Sequence, residues 1–349
     1  MNKIFITGGA GFIGTNFIYY CLNKNDIVLN YDLLTYSGNL NNFKNIENNK
    51  NYTFVEGDIC DKELLDEILN DFKPDFIINF AAESHVDLSI DNPDSFINTN
   101  IIGTYKLLLS SMEYYCSLDN TSKTNFKLLH VSTDEVYGSI NKGNFTEESQ
   151  YNPSSPYSAS KAASDHLVNA WCKTYGLPVV ITNSSNNYGP FQFPEKLIPH
   201  MIQLCLNEEK LPIYGDGTNI RDWIYVKDHC EAHYQLLINK CRENRYNIGG
   251  GQEKTNLEVV ESICEILDKL IPSDKLKSYK ELIEFVKDRP GHDLRYAIDY
   301  SRIHKEIGWG PKVNFKEGLL NTINWYLENK DWIDMIINKK YSLKRVGLK

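Results

Sequence analysis

No stretch of this sequence stays apolar for the ~20 residues that a helix needs to cross a bilayer, so no membrane span is expected. The apolar run that follows Met1-Asn2-Lys3 stops at Gly8, too short for a secretory signal, and a cytoplasmic location is expected. The 8 cysteines never fall as Cys-x-x-Cys, so neither a zinc ribbon nor a thioredoxin-type site is indicated. Cys21, Cys205 and Cys264 lie in apolar segments, as buried reduced thiols do. A Gly-x-Ser-x-Gly elbow is missing, which argues against a serine hydrolase. Excess positive charge is missing too. With 37 Lys and Arg against 46 Asp and Glu the net charge is −9, and nucleic acid is not an expected partner. An anionic small ligand stays open, because a helix N-terminus and a few arginines bind phosphate against the overall sign.

What is present is an ordinary globular balance, 42% hydrophobic and 24% charged over 349 residues. Up to about residue 186 strand-like and helix-like segments alternate. Strands are expected at Lys3–Thr7, Asp26–Tyr31, Tyr52–Glu56, Asp75–Phe80, Phe126–Ser132 and Pro178–Asn183. Helices are expected at Gly11–Leu22, Lys62–Phe72, Pro93–Cys116 and Pro156–Tyr175. That alternation predicts an α/β fold, a Rossmann-type doubly wound parallel sheet. Later elements are shorter and more scattered: Leu211–Tyr214, Trp223–Val226, Tyr246–Ile248, Leu257–Leu270 and Phe315–Asn329. We therefore expect a Rossmann-type domain over 1–186 and a smaller mixed C-terminal lobe over 187–349, interleaved with it and not joined by a flexible linker.

The first expected strand runs into Gly8-Gly9-Ala10-Gly11-Phe12-Ile13-Gly14 and then a helix. A glycine turn there lets backbone approach a pyrophosphate, and the helix N-terminus supplies N–H groups and positive dipole. No Gly-Lys-Ser/Thr closes the motif, which sets aside a Walker loop. Asp32 ends the second strand, where an acid accepts from ribose hydroxyls and repels a 2′-phosphate, so NAD is expected over NADP. Asp58, after the third strand, could face the adenine edge.

Tyr157-Ser158-Ala159-Ser160-Lys161 places a phenol and an ammonium one helical turn apart. A cation beside the phenol would lower its pKa and suit it to take a proton from a hydroxyl. Upstream, Ser132-Thr133-Asp134-Glu135 puts two acids at a strand's carboxyl end. Neighbouring carboxylates split their pKa values, so one can donate a proton while the other accepts. Alcohol oxidation alone does not need such a pair; elimination of water does.

These runs, with Asp32–Leu40, Ala81–Asp87, Asn186–Pro190, Phe193–Pro199, Arg221-Asp222-Trp223 and Asp288–Asp293, resemble the extended short-chain dehydrogenase/reductase family over almost the whole chain. Within it the chain resembles the 4,6-dehydratases that act on dTDP-glucose. The resemblance implies C4 oxidation by tightly held NAD with Tyr157 as base, Thr133 on the C4 oxygen, Glu135 taking the C5 proton and Asp134 protonating the departing C6 hydroxyl. Hydride then returns to C6, and the 4-keto-6-deoxy product would be a precursor of rhamnose and other deoxysugars. It also implies cofactor contacts from Gly8, Gly11, Phe12, Ile13 and Gly14, from Asp32, Leu33, Thr35, Asp58 and Ile59, and from Ala81, Ala82, Thr99, Tyr157, Lys161 and Asn187. Ser84, Thr133, Asn186, Lys196, Leu197 and Pro212 would line the nucleotide-sugar site with Tyr214, Arg221, Asn256, Arg289 and His292. A homodimer built on Pro93–Cys116 and Pro156–Tyr175 is implied as well. Leu88 and Leu294 depart from the subgroup's pattern, where Arg and a polar or basic residue are usual.

Other readings remain in view. A UDP-glucose 4,6-dehydratase would keep Asp134 and Glu135, and the sequence separates the two bases poorly; a UDP-sugar 4-epimerase would not need those two acids. A non-catalytic NAD-sensing protein would need none of the set together. His229 and His233 share a helix face, but no third metal ligand is evident, so they are expected to be helix surface and no metal is expected.

Overall fold

The structure, a computed structural model, describes residues 1–288 and 291–339. The chain begins β1 (Lys3–Thr7), α1 (Phe12–Asn23), β2 (Ile27–Asp32), β3 (Tyr52–Glu56), α2 (Lys62–Phe72), β4 (Phe76–Asn79). It continues α3 (Val86–Asp91), α4 (Pro93–Phe96), a π-helical stretch over Ile97–Gly103, α5 (Thr104–Ser117), α6 (Asn120–Asn125), β5 (Lys127–Thr133), α7 (Pro156–Tyr175) and β6 (Val179–Ser184). Then come β7 (Asn186–Tyr188), α8 (Leu197–Leu206), β8 (Leu211–Tyr214), β9 (Ile220–Tyr225), α9 (Val226–Ile238) and β10 (Arg245–Ile248). The described part closes with β11 (Glu253–Thr255), α10 (Asn256–Leu270), β12 (Ile283–Val286), α11 (Ser301–Ile307), α12 (Phe315–Glu328) and α13 (Lys330–Lys339).

Seven strands form one parallel sheet in the order β10-β6-β5-β4-β1-β2-β3. Side chains alternate across it, as the two-residue period of a strand requires. Ile4, Ile6, Ile78 and Leu129 join one apolar cluster with α1 and α9. Phe5, Ile77, Leu128 and Ile181 join another against α2, α5 and α7. Both faces are covered, which is why these strands read as near-continuous apolar runs. A third cluster lies outside the sheet, gathered from α8, α10, α12 and α13 around Tyr188 and Trp223. Two small sheets frame it: β11-β9-β7, and β12 beside β8.

Two expectations need correction. Pro93–Cys116 is not one regular helix: it passes from α4 through the π-helical turn before α5. The wider turn inserts Asn100, 1% exposed, whose amide accepts from Glu83 N at 2.9 Å and donates to Glu83 O at 3.0 Å and Ser160 Oγ at 2.8 Å. Nor are His229 and His233 helix surface. Both are 0% exposed, because α9 is packed between the sheet and α1. Each ring is bonded to a hydroxyl on β6, His229 to Ser184 at 2.7 Å and His233 to Thr182 at 2.9 Å. Burial holds both below the usual imidazole range.

Candidate active site

The carboxyl ends of β1, β2, β4 and β5 open on a cavity of about 240 Å³. Its floor is the turn between β1 and α1. Gly8 has φ +67°, and a Cβ there would come within 2.5 Å of Ala81 N. A Cβ on Gly14 would stand 2.4 Å from Gly8 O, so the first turn of α1 can cross the loop only as glycine. A side chain at Gly11 would meet only Gly8 O, at 3.4 Å, which leaves that residue bare toward the cavity. Asp32 Oδ2 accepts from Ala10 N at 2.9 Å and Oδ1 from Leu34 N at 2.8 Å, which fixes the carboxylate beside the turn. This glycine cradle with an acid at its rim fits a dinucleotide. Gly14→Val is expected to break it: roughly tenfold less NAD retained on purification and a loss of about 1–3 kcal/mol in stability, read by NAD extraction and urea unfolding.

Around the same cavity stand Phe12, Ile13, Leu33, Thr35, Asp58, Ile59, Ala81, Ala82, Thr99, Tyr157 and Lys161. Asn187 is the exception. Strand alternation turns it away from its neighbour Asn186, and its Nδ2 donates to Ser185 O at 3.1 Å. Ser132 in β5 and the loop residues Glu83, Gln192 and Glu195 line the cavity without having been singled out as contacts, since a lone polar residue in a loop, or one at a strand's end, carries no periodic signal.

A second cavity, of about 560 Å³, adjoins the first; Ser84, Glu195 and Lys196 border both. Glu135, Asn186, Leu197, Pro212, Tyr214, Arg221, Asn256 and His292 line it. Lys196 Nζ donates to Ser84 O at 3.0 Å across the boundary. Arg221, 5% exposed, lies 4.4 Å over the Tyr296 ring and donates to Ile220 O and Asp293 O at 2.8 and 3.0 Å. That stacking holds its planar fork against the cavity wall. His292 Nδ1 lies 2.7 Å from Asp288 Oδ1. Arg289 lies outside the described residues. Leu88 sits in α3, and Leu294 is 51% exposed.

Between the cavities lie the groups able to move protons. Ser155 and Ser158 form a capping box and Pro156 follows at the first position, so Tyr157 stands in the first turn of α7. Its phenol oxygen is enclosed although part of the residue is exposed, and burial raises its pKa above 10, with the charge of Glu135 next. A hydrogen bond from Thr133 works the other way. The expected lowering by Lys161 is therefore overridden in the chain alone, because Lys161 Nζ donates instead to Val131 O at 2.8 Å.

Asp134 and Glu135 differ sharply. Asp134 is 2% exposed, and its Oδ2 has no hydrogen-bond partner among the described residues. Burial first, then the charges of Glu135 and Asp222, hold its carboxyl well above the usual range, against Arg221 and Thr133. Glu135 is only partly buried and faces the second cavity. Thr133 lines neither cavity; its Oγ1 caps the 3₁₀ turn that carries both acids by accepting from Glu135 N at 3.2 Å. Asp134, expected to meet the substrate, lines neither cavity and stands behind the wall, while the Tyr157 phenol borders the first cavity and the Glu135 carboxyl the second. Among the described residues no cluster of three or more metal-ligating side chains occurs.

The sequence profile of the family described as GDP-mannose 4,6 dehydratase matches residues 5–322. A probable dTDP-glucose 4,6-dehydratase of Sinorhizobium fredii is 52% identical over 347 residues, covering 99% of each chain. The crystal structure of dTDP-glucose 4,6-dehydratase from Bacillus anthracis in complex with NAD superposes with TM-score 0.84 at 46% identity, covering 96% of this chain and 100% of that one. DesIV, the dTDP-glucose 4,6-dehydratase of Streptomyces venezuelae, solved with NAD and TYD bound, gives TM-score 0.87 at 42% identity over 96% of this chain and 99% of that one.

Proposed function

The chain belongs to the GDP-mannose 4,6 dehydratase family, and from that membership we propose that it is an NAD-dependent lyase that converts dTDP-glucose to dTDP-4-keto-6-deoxyglucose. Gly8, Gly11, Gly14 and Asp32 would hold NAD, which would supply the acceptor for hydride from C4 of the glucosyl ring and its source for return to C6. Tyr157 accepts the C4 hydroxyl proton, with Thr133 beside its phenol to hold the C4 oxygen. Lys161, at the wall of the first cavity, would hold the nicotinamide ribose. Glu135 removes the C5 proton, made acidic by the neighbouring ketone, and later returns a proton there. Asp134 protonates the C6 hydroxyl, which departs as water. Arg221, with Arg289 from outside the described residues, neutralises the diphosphate.

One observation carries dehydration over C4 epimerisation: a buried Asp134, its carboxyl held well above the usual range by burial, next to a more exposed Glu135. Epimerisation has no step that uses such a pair. We assign the cofactor to 1–186 and the nucleotide sugar to 187–349. A homodimer through Pro93–Cys116 and Pro156–Tyr175 accords with Ile97 and Ile102 in the π-helical stretch, Tyr105 in α5 and Tyr175 in α7, which are 47%, 42%, 36% and 54% exposed. The described residues contain no helix long and apolar enough to cross a membrane. The reading is completed by a cytoplasmic setting and a supply of 4-keto sugar for rhamnose and other deoxysugars.

The test is incubation with dTDP-glucose and UDP-glucose separately, followed by mass spectrometry, on protein that sediments as two chains. Loss of water from dTDP-glucose, faster than from UDP-glucose, is expected. A C4 epimer of unchanged mass would overturn the dehydratase assignment, and faster reaction of UDP-glucose the base preference.

A further inference from the structure

One turn along α7 from Lys161 lies a carboxylate that the proposed chemistry does not use. Asp165 is 0% exposed. Its Oδ2 accepts from Tyr151 OH at 2.7 Å, Ser132 Oγ at 2.9 Å and Asn183 Nδ2 at 3.2 Å. His130 Nε2, on β5, stands 3.5 Å from Oδ1. The hydrogen-bond network assigns the proton on that imidazole. Thr7 Oγ1 donates to Asn79 Oδ1 at 2.5 Å, which turns Asn79 Nδ2 toward His130 Nδ1 at 3.1 Å. Nδ1 must accept, so Nε2 carries the hydrogen and points it toward Ser164 and Asp165. Three donors, from β5, β6 and the loop before α7, thus converge on Oδ2, while Oδ1 has no hydrogen-bond partner among the described residues; burial raises this carboxyl's pKa, and the charge of Lys161, followed by these donors, opposes the rise.

Lys161 is the complementary case. It is 3% exposed, and its hydrogen bond goes to a neutral carbonyl, Val131 O. A buried ammonium with only a neutral acceptor tends to shed its proton. We propose that Asp165 is a positioning residue whose buried negative charge holds Lys161 as an ammonium facing the cofactor cavity. What that ammonium does for catalysis rests on the dehydratase reading; the pairing itself does not.

The other titratable groups around the pair do not replace it. His130 is kept neutral by burial and by the charge of Lys161. Tyr137, Tyr151 and Tyr157 are all raised by burial and so uncharged. Arg245, 4.9 Å over the Tyr151 ring, has the wrong sign for Lys161. Burial draws Lys161 down to about 8, and Asp165 is the charge that opposes the fall.

The experiment compares NAD-loaded wild type, Asp165→Asn, Lys161→Met and the double variant by thermal melting and by kcat across roughly pH 6–10. The folded pKa of Lys161 lies below its unfolded value. The unfolded chain therefore binds the extra proton, and stability rises with pH from about 8 toward the free-lysine range. In Asp165→Asn the unmatched ammonium titrates lower still. That variant should melt well below wild type near neutrality, with the gap closing by more than half as pH rises and the wild-type lysine also becomes neutral. Its alkaline limb of kcat should move about one unit to acid, about a tenfold loss at any pH on that limb. The double variant, which buries neither charge, should melt above Asp165→Asn and should fold even if that single variant does not. A gap constant with pH, an unmoved limb, or a double variant no more stable than Asp165→Asn would reduce Asp165 to packing. A wild type that melts as described but never converts dTDP-glucose would instead end the dehydratase reading and leave the pairing standing.

Discussion

Tyr157→Phe should abolish measurable 4-keto product, with turnover down by roughly two to four powers of ten, the range expected for loss of a general base, while the protein keeps its NAD. The two halves of that result come from different parts of the site. Phenylalanine preserves the ring and its edge contact with Phe96, 6.3 Å between centroids. It also leaves the glycine turn, Asp32 and Lys161 untouched, so cofactor content measured by extraction should not change. Only the oxygen is removed, and with it the group that takes the C4 hydroxyl proton. Burial and the charge of Glu135 raise this phenol's pKa, so the free chain holds it protonated. A cation such as oxidised nicotinamide in the adjoining cavity shifts it the other way. Turnover in Tyr157→Phe close to that of the wild type would remove the phenol from the reaction.

Asp134→Asn should separate oxidation from dehydration. The carboxyl is held well above its ordinary range by burial, so asparagine is close to an isostere of the form already present. Folding should be unaffected, because a neutral amide replaces a neutral acid. What asparagine lacks is a proton to give. Loss of water should fall by roughly two to four powers of ten. Glu135 is unchanged, so substrate recovered from deuterium oxide should still gain deuterium at C5. Water loss at the wild-type rate would show that Asp134 is not the donor. Absence of C5 exchange would show instead that the variant blocks an earlier step.

The parts of this molecule that local chemistry dictates could be read from the sequence. The β1–α1 turn is one: Gly8 needs a positive φ and Gly14 allows no Cβ, so few other residues could stand there. The strands of the main sheet are another, since burial on both faces writes apolar runs. Boundaries that depend on tertiary contact were hidden. The π turn at 97–103 is a change of hydrogen-bond register that side-chain periodicity does not record. Helices α8 and α9 are buried around most of their circumference, which erases the polar stripe that marks a surface helix. The same holds within the site. Adjacent acids predict that their pKa values split, but which one is enclosed follows from the 3₁₀ turn after Thr133. The spacing of Tyr157 and Lys161 puts them on one helix face, but not the carbonyl of Val131 that takes up the ammonium.

The position of β10 has a further consequence. Residues 245–248, well past the first lobe in sequence, form one of the two edge strands of the seven and lie beside β6. A cut between the lobes would strip β6 of that neighbour and leave a row of open backbone groups inviting aggregation. Lineages built this way cannot trade halves like cassettes. New sugar preferences must be acquired by re-tailoring loops in place, while the shared sheet is inherited whole.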